Sequence, residues 1–110
     1  MKHVKFDKTG KRGWFIGDFP SAAYQTDKAE VCYTIEPANS YAPHYHTKCT
    51  EIVYIISGKV SCNGSEYSDG DILIFEPGEV NDCHYLIDSA VIGVKTPAGG
   101  NDKVHVDGNT

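Results

Sequence analysis

The 110-residue sequence has no long hydrophobic run, no cluster of basic residues and no Cys-x-x-Cys pair. Its apolar stretches are far shorter than the roughly 20 residues that a membrane-spanning helix needs, and no apolar segment follows the basic N-terminus as in a signal peptide. We therefore expect a cytoplasmic protein with no membrane partner. A formal net charge of −5, with lysines spread along the chain, argues against nucleic acid and favours a small-molecule partner.

The four cysteines are isolated from one another, at Cys32, Cys49, Cys62 and Cys83. This spacing does not favour a structural zinc knuckle or a thioredoxin-like redox motif. In a reducing cytosol, scattered thiols are most simply small residues of the core or of strands. We therefore expect all four to be reduced.

The chain also lacks any helical periodicity longer than about two turns, together with internal repeats and linkers. Short apolar or alternating segments recur every 8 to 12 residues between Gly, Pro, Asn and Asp, which is typical of an all-β sandwich or barrel. We predict one domain over residues 1–110, with a loose tail from about residue 107. Strands are predicted at 3–7, 14–16, 30–36, 44–46, 51–56, 59–62, 65–67, 71–75, 81–87, 90–95 and 103–106, and a single helical turn or a loop at 21–28.

Asp71-Ile72-Leu73-Ile74-Phe75 is apolar on both faces of its predicted strand. Such a strand must be covered on two sides, and a chain of this length has little material for the second cover. We therefore expect a homodimer with an apolar interface.

The segment from Pro43 to Gly58 contains the residues that indicate chemistry. His44 and His46 are two apart, so their side chains leave the same face of a strand, and Glu51 opens the next strand after one turn. A carboxylate in the apolar run Glu-Ile-Val-Tyr-Ile-Ile needs a partner or a metal. Two imidazoles and a carboxylate suit one divalent transition metal ion, with Fe, Mn, Ni, Cu and Zn not distinguished.

These residues resemble the cupin superfamily. His44-x-His46, followed by Glu51 and Gly58, resembles the first cupin motif, and Gly70 followed by Glu76-Pro77-Gly78 resembles the start of the second. The resemblance spans about residues 38–85. It implies a jelly-roll β-barrel, also called a double-stranded β-helix or cupin fold, which encloses a divalent metal and frequently dimerises.

The second motif departs from the family pattern at its metal ligand. The histidine that usually supplies a fourth ligand is replaced by Asn81, a weak and neutral oxygen donor. Asn81 could coordinate weakly or through water, a bulge could bring Asp82 or His84 inward, or the metal could have three protein ligands. Strict alternation turns Cys83 to the same face as Asn81 and turns His84 away, so we favour a three-ligand site with Asn81 nearby.

The resemblance implies a metal-dependent enzyme that acts on a small polar metabolite such as a sugar or sugar acid. Isomerase, lyase and oxygenase activities all fit, and so does a non-catalytic protein that binds or senses a small ligand. The motif does not decide whether the chain is an enzyme. Acid–base candidates by residue type alone are Tyr33, Tyr54, Tyr85 and His84.

Overall fold

The computed structural model describes residues 1–6, 13–100 and 102–106. Within these ranges the chain forms β-strands and no α-helix, which confirms the all-β prediction. The strands are β1 Trp14–Gly17, β2 Tyr24–Gln25, β3 Glu30–Glu36, β4 Asn39–Ser40, β5 His44–His46, β6 Thr50–Ser57, β7 Lys59–Cys62, β8 Ser65–Ser68, β9 Ile72–Phe75, β10 Cys83–Tyr85, β11 Ser89–Thr96 and β12 Lys103–His105. None of the described residues belongs to a helix that is long and apolar enough to cross a membrane.

The strands form two main sheets and a short ribbon. One sheet has the order β2-β1-β3-β11-β6-β9, the other has the order β4-β10-β7-β8, and β12 pairs with β5. Neighbours such as β3, β11 and β6 are distant in sequence, so the chain crosses repeatedly between sheets, apart from hairpins such as β7–β8. This is the arrangement expected of a jelly roll.

The hydrophobic core lies between the two sheets. Ile55, Phe75 and Val91 come from the larger sheet and meet Val60 and Cys62 of the smaller sheet. Ile55 and Val60 are almost completely buried. Because side chains alternate along a strand, the residues directly before and after each core residue point to the outer face of its sheet.

Several local expectations change in the structure. Residues 3–6 form no strand, and Asp7, the last residue of that prediction, lies outside the described residues, as does the predicted tail from residue 107. Instead of a helical turn, residues 21–28 contain β2, which pairs in parallel with β1. The predicted edge strand near the C-terminus is present as β12, which pairs with β5.

The expectation of four reduced cysteines is wrong for two of them. Cys62 and Cys83 form a disulfide, whereas Cys32 and Cys49 are free and buried. Cys62 and Cys83 are directly opposed on the antiparallel strands β7 and β10, with Cα atoms 4.1 Å apart. The two cysteines are 21 residues apart in sequence, so only the strand register reveals that they meet.

Two glycine-containing turns set the register around the core. Asn63 and Gly64 both have positive φ, at 51° and 90°, as the type I′ turn predicted between β7 and β8 requires. Gly58 joins β6 to β7 with φ +133°, and a Cβ atom there would lie 2.0 Å from Ser89 Oγ. Gly58 therefore allows β6 and β7 to approach the start of β11.

We predict that Gly58→Ala destabilises the protein by about 3 kcal/mol or more, because strain at positive φ is added to a steric clash. Gly64→Ala is the matched control, since its φ is also positive but no atom lies within 4 Å of the added Cβ. Gly64→Ala should lower the free energy of unfolding by roughly 1–2 kcal/mol. Urea unfolding of both variants measures the difference, and equal costs would contradict the close approach at Gly58.

Candidate metal centre

Strands β5 and β6 bring His44, His46 and Glu51 together. His44 Nε2 lies 3.5 Å from Glu51 Oε1, and His46 Nε2 lies 3.8 Å from Glu51 Oε2. One donor atom from each of the three residues falls within 4.8 Å of the others. Ligands bound at about 2.0–2.2 Å from one ion lie roughly 3.0–3.5 Å apart, so this cluster needs only a small contraction to fit a metal.

His46 contains an unsatisfied polar atom. Only 5% of its side chain is exposed, and its Nε2 atom is buried without a hydrogen-bond partner. A buried polar atom without a partner is costly, and most such atoms in proteins are satisfied by protein, water or an ion. Because Nε2 lies beside the Glu51 carboxylate, a metal ion in the cluster would satisfy it.

Glu51 is ionised in this environment. Burial raises the pKa of its carboxyl group, but hydrogen bonds from His44 and Asn81 and the nearby imidazole of His46 outweigh burial and lower the pKa to about 2. The site therefore presents a negative charge at neutral pH. Two imidazoles beside an anionic oxygen form a donor set that suits a divalent transition metal.

Asn81 lies beside the three residues. Its backbone forms an antiparallel bridge with His44, with N–H groups donating in both directions. The side-chain Nδ2 donates to Glu51 Oε1 at 3.0 Å. This end of the amide is therefore engaged with Glu51, and a metal contact from Asn81 would have to come from Oδ1.

The alternative fourth ligands are not brought into the cluster. His84 Nε2 lies 3.0 Å from Asp82 Oδ1, and both side chains are substantially exposed. Asn81, Cys83 and Tyr85 face the cavity instead, as strict alternation along β10 requires. Over residues 81–85, all of which the structure describes, no bulge turns His84 or Asp82 inward.

Asp102 is part of the site although its sequence context did not indicate it. Its Oδ1 lies 2.9 Å from His46 Nδ1, and its Oδ2 accepts hydrogen bonds from the backbone N–H groups of Lys48 and Cys49 at 3.1 Å. Burial raises the pKa of Asp102, but these hydrogen bonds outweigh burial and hold the pKa well below its ordinary value. An acidic residue just before an edge strand was the only sequence feature available, and it is too common to be informative.

His46, Cys49 and Asp102 form a second cluster that could in principle hold a metal. Burial and the hydrogen bond to Asp102 raise the pKa of Cys49 to about 11. The thiol is therefore protonated at neutral pH when no metal is bound. Without a metal, this cluster is a hydrogen-bonded network around the Asp102 carboxylate.

The first cluster opens into a cavity. Two adjoining depressions of about 300 and 530 Å³ share His44 and Glu51 in their walls. Such volumes suit a small metabolite. The polar and aromatic residues that line the cavity around the cluster include Thr34, Glu36, Tyr41, Tyr85, Lys103 and His105.

The tyrosines suggested by residue type separate into two groups. Tyr85 is partly buried and faces the cavity, and burial, helped by the nearby Glu36 carboxylate, holds its pKa well above the ordinary value. Tyr33 and Tyr54 are exposed and line neither depression. Tyr41, which sequence analysis did not single out, lies at the cavity and donates a hydrogen bond from its OH to Glu36 Oε2 at 2.7 Å.

Comparison with known proteins gives a clear result for the fold and none at the level of sequence families. No family model and no curated protein matches the chain. Among solved structures, one similar protein is an uncharacterised protein from Klebsiella pneumoniae with a double-stranded β-helix domain. The TM-score is 0.67 and the sequence identity 19%, and the match covers 94% of this chain and 90% of the Klebsiella chain. Pac13 from Streptomyces, described as a nucleoside dehydratase, has a TM-score of 0.70 and 15% identity, covering 96% and 92%.

A cupin-2 domain protein from Shewanella frigidimarina is also similar, with a TM-score of 0.54, 8% identity and coverage of 64% of this chain and 72% of its own. At such low identities the likeness bears on the fold. It confirms the double-stranded β-helix predicted from the two motifs. The chain thus has the fold of a small cupin-type domain.

Proposed function

We propose that this chain is a metal-binding cupin that acts on a small polar metabolite. The observation that supports this most directly is the buried, unpartnered Nε2 atom of His46, which lies beside His44 and the ionised Glu51. In this proposal His44, His46 and Glu51 are the metal ligands. Asn81 orients Glu51 through its Nδ2 and lies beside this three-ligand set, where its Oδ1 is a weaker, auxiliary oxygen donor, directly or through a water.

The proposed cofactor is one divalent transition metal ion. Two nitrogen donors and one carboxylate suit Fe, Mn, Ni, Cu and Zn, and geometry alone does not separate them. Such an ion, when bound, would act as a Lewis acid toward a substrate carbonyl, carboxylate or hydroxyl oxygen. A three-ligand set leaves coordination positions for that oxygen.

Residues of the cavity wall supply hydrogen-bond donors and an acceptor for the same substrate. The raised pKa of Tyr85 keeps its phenol protonated at neutral pH. The pKa of Tyr41 is also raised, chiefly by its hydrogen bond to Glu36. Both phenols therefore stay protonated and act as hydrogen-bond donors, Tyr41 already toward Glu36. The Glu36 carboxylate, which also accepts from Thr34 Oγ1 at 3.1 Å, is the proposed acceptor.

Strand β12 adds positive charge to the cavity wall. Lys103 and His105 pair with His46 and His44 across the ribbon, and both line the cavity. Lys95 also lines the cavity, with its Nζ 4.9 Å from the centre of the Trp14 ring. The two lysines, Lys103 and Lys95, support an anionic metabolite such as a sugar acid. Pac13, the structural neighbour described as a nucleoside dehydratase, supports a sugar-containing substrate more generally.

The outer face of the larger sheet supports the expected homodimer. Tyr33, Ile92, Tyr54 and Ile72 are successive cross-strand partners and form one continuous row. Ile72 and Ile74 on the edge strand β9 are 58% and 59% exposed. An exposed apolar sheet face of this kind favours association. We propose that two chains pack through this face.

Cytoplasmic location remains a prediction. The expectation of reduced cysteines followed from that location, and the Cys62–Cys83 disulfide runs against both. Structural disulfides persist mainly in oxidising compartments.

The metal site is tested by measuring the metal content of protein purified without added metal. We expect about one equivalent in the wild type and at least a tenfold loss in His44→Ala and His46→Ala, because each variant removes one of three ligands. Asn81→Ala should lose less bound metal than either histidine variant, since it removes a weak, neutral oxygen donor.

His84→Ala is the matched control, because His84 pairs with Asp82 away from the cluster. It should retain the metal content of the wild type. Equal metal content in the wild type and in all three histidine variants would contradict the proposed site.

The substrate class is tested by presenting metal-loaded protein with sugar acids, keto acids and neutral sugars, while product formation and O2 consumption are followed. We expect turnover of an anionic compound, with KM raised roughly tenfold or more in Lys103→Ala, because a charged hydrogen bond is lost. Lys59→Ala is the control, since Lys59 is exposed and pairs with Glu66. Saturable binding without turnover would instead support a non-catalytic binding or sensing role.

The dimer is tested by light scattering coupled to size-exclusion chromatography. The wild type should have twice the mass of one chain, and Ile72→Glu should be monomeric, because it buries a charge in the proposed interface. Ser65→Glu adds the same charge on the exposed strand β8 of the other sheet and should remain dimeric. A monomeric wild type would contradict the proposed interface.

A further inference from the structure

We propose that Asp102 positions His46 for metal binding by fixing which ring nitrogen carries the proton. The inference rests on the proposed metal site and adds a residue that does not touch the metal. Asp102 is 56 residues from His46 in sequence. It lies immediately before β12, and pairing of β12 with β5 brings it beside the histidine.

The contact between the two side chains determines the tautomer of His46. Asp102 Oδ1 lies 2.9 Å from His46 Nδ1, and the side chains are only 6% and 5% exposed. An ionised carboxylate can only accept hydrogen bonds, so Nδ1 must carry a hydrogen. In a neutral imidazole, Nε2 then keeps its lone pair, which is the form that binds a metal. This Nε2 is the buried atom without a hydrogen-bond partner.

The Asp102 carboxylate is itself fixed in orientation. Its Oδ2 accepts from the backbone N–H groups of Lys48 and Cys49, both at 3.1 Å. Its own backbone carbonyl accepts from the N–H of Thr47 at 3.0 Å. The turn that joins the two proposed ligand strands β5 and β6 is thus anchored on this single residue. Asp102 cannot rotate away from His46 without abandoning two backbone donors.

This geometry predicts the effect of replacing the carboxylate by an amide. In Asp102→Asn, the amide oxygen should face the Lys48 and Cys49 N–H groups, because the opposite orientation would place donors against donors. The amide NH2 would then donate to His46 Nδ1. The proton of the neutral imidazole would move to Nε2, where it blocks metal binding.

The experiment combines nitrogen-15 NMR of the histidine rings with a metal-affinity measurement. Spectra of the metal-free protein are recorded at a pH of about 8.5, above the ordinary histidine range. We expect a proton on Nδ1 of His46 in the wild type and on Nε2 in Asp102→Asn. Zn²⁺ affinity, measured by competition with a chromogenic chelator, should fall about 10–100-fold in the variant.

Asp69→Asn is the matched control. Asp69 Oδ1 accepts from the backbone N–H of Gly58 at 2.8 Å, so this variant also replaces a carboxylate that holds a turn. It should change neither the His46 tautomer nor the Zn²⁺ affinity. A change of equal size in both variants would indicate a general loss of stability and overturn the positioning role.

Two other results would overturn it. One is a proton on Nε2 of His46 in the wild type at this pH, a measurement that remains decisive even if Asp102→Asn does not fold. The other is Asp102→Asn binding Zn²⁺ as tightly as the wild type. A wild type with the expected tautomer but no Zn²⁺ affinity would support control of the tautomer by Asp102 and overturn the proposed metal site.

Discussion

The burial of the Glu51 carboxylate is the constraint on which the rest of the site depends. Glu51 is the second residue of β6 and is followed by a largely apolar run, and burial alone would raise the pKa of its carboxyl group. Two imidazoles from β5 and the Asn81 amide offset that cost. Those partners come from separate segments, so the carboxylate is stable only when β5, β6 and the turn before β10 are assembled together.

The ribbon formed by β12 and β5 provides further contacts to the same site. The unpartnered nitrogen of His46 faces Glu51, and its other nitrogen faces Asp102. Strand β12 also carries Lys103 and His105 to the cavity wall. One short strand therefore orients a proposed metal ligand and contributes positive charge toward a substrate. The cavity is also continuous with the hydrophobic core, because Val53, Leu73 and Tyr85 line the cavity and pack against the core residues.

Side-chain alternation explains which of the residues singled out in the sequence reach the cavity and which do not. The period of two correctly placed Asn81, Cys83 and Tyr85 toward the cavity and turned His84 away. The same period places Tyr33 and Tyr54 on the outer face, although residue type alone had made them acid–base candidates. Tyr41 and Glu36 were not singled out, because nothing local shows that β3 and the segment before β5 border one cavity.

The sequence by itself determined the features that depend on short-range geometry. These are the β class, the type I′ turn at Asn63-Gly64, and the convergence of His44, His46 and Glu51, which are separated by one turn. Tertiary structure alone decided the contacts between distant segments, including the Cys62–Cys83 disulfide and the pairing of Asp102 with His46. The physical reason is that alternation shows which face a side chain occupies, whereas the residue it meets there depends on strand order and register.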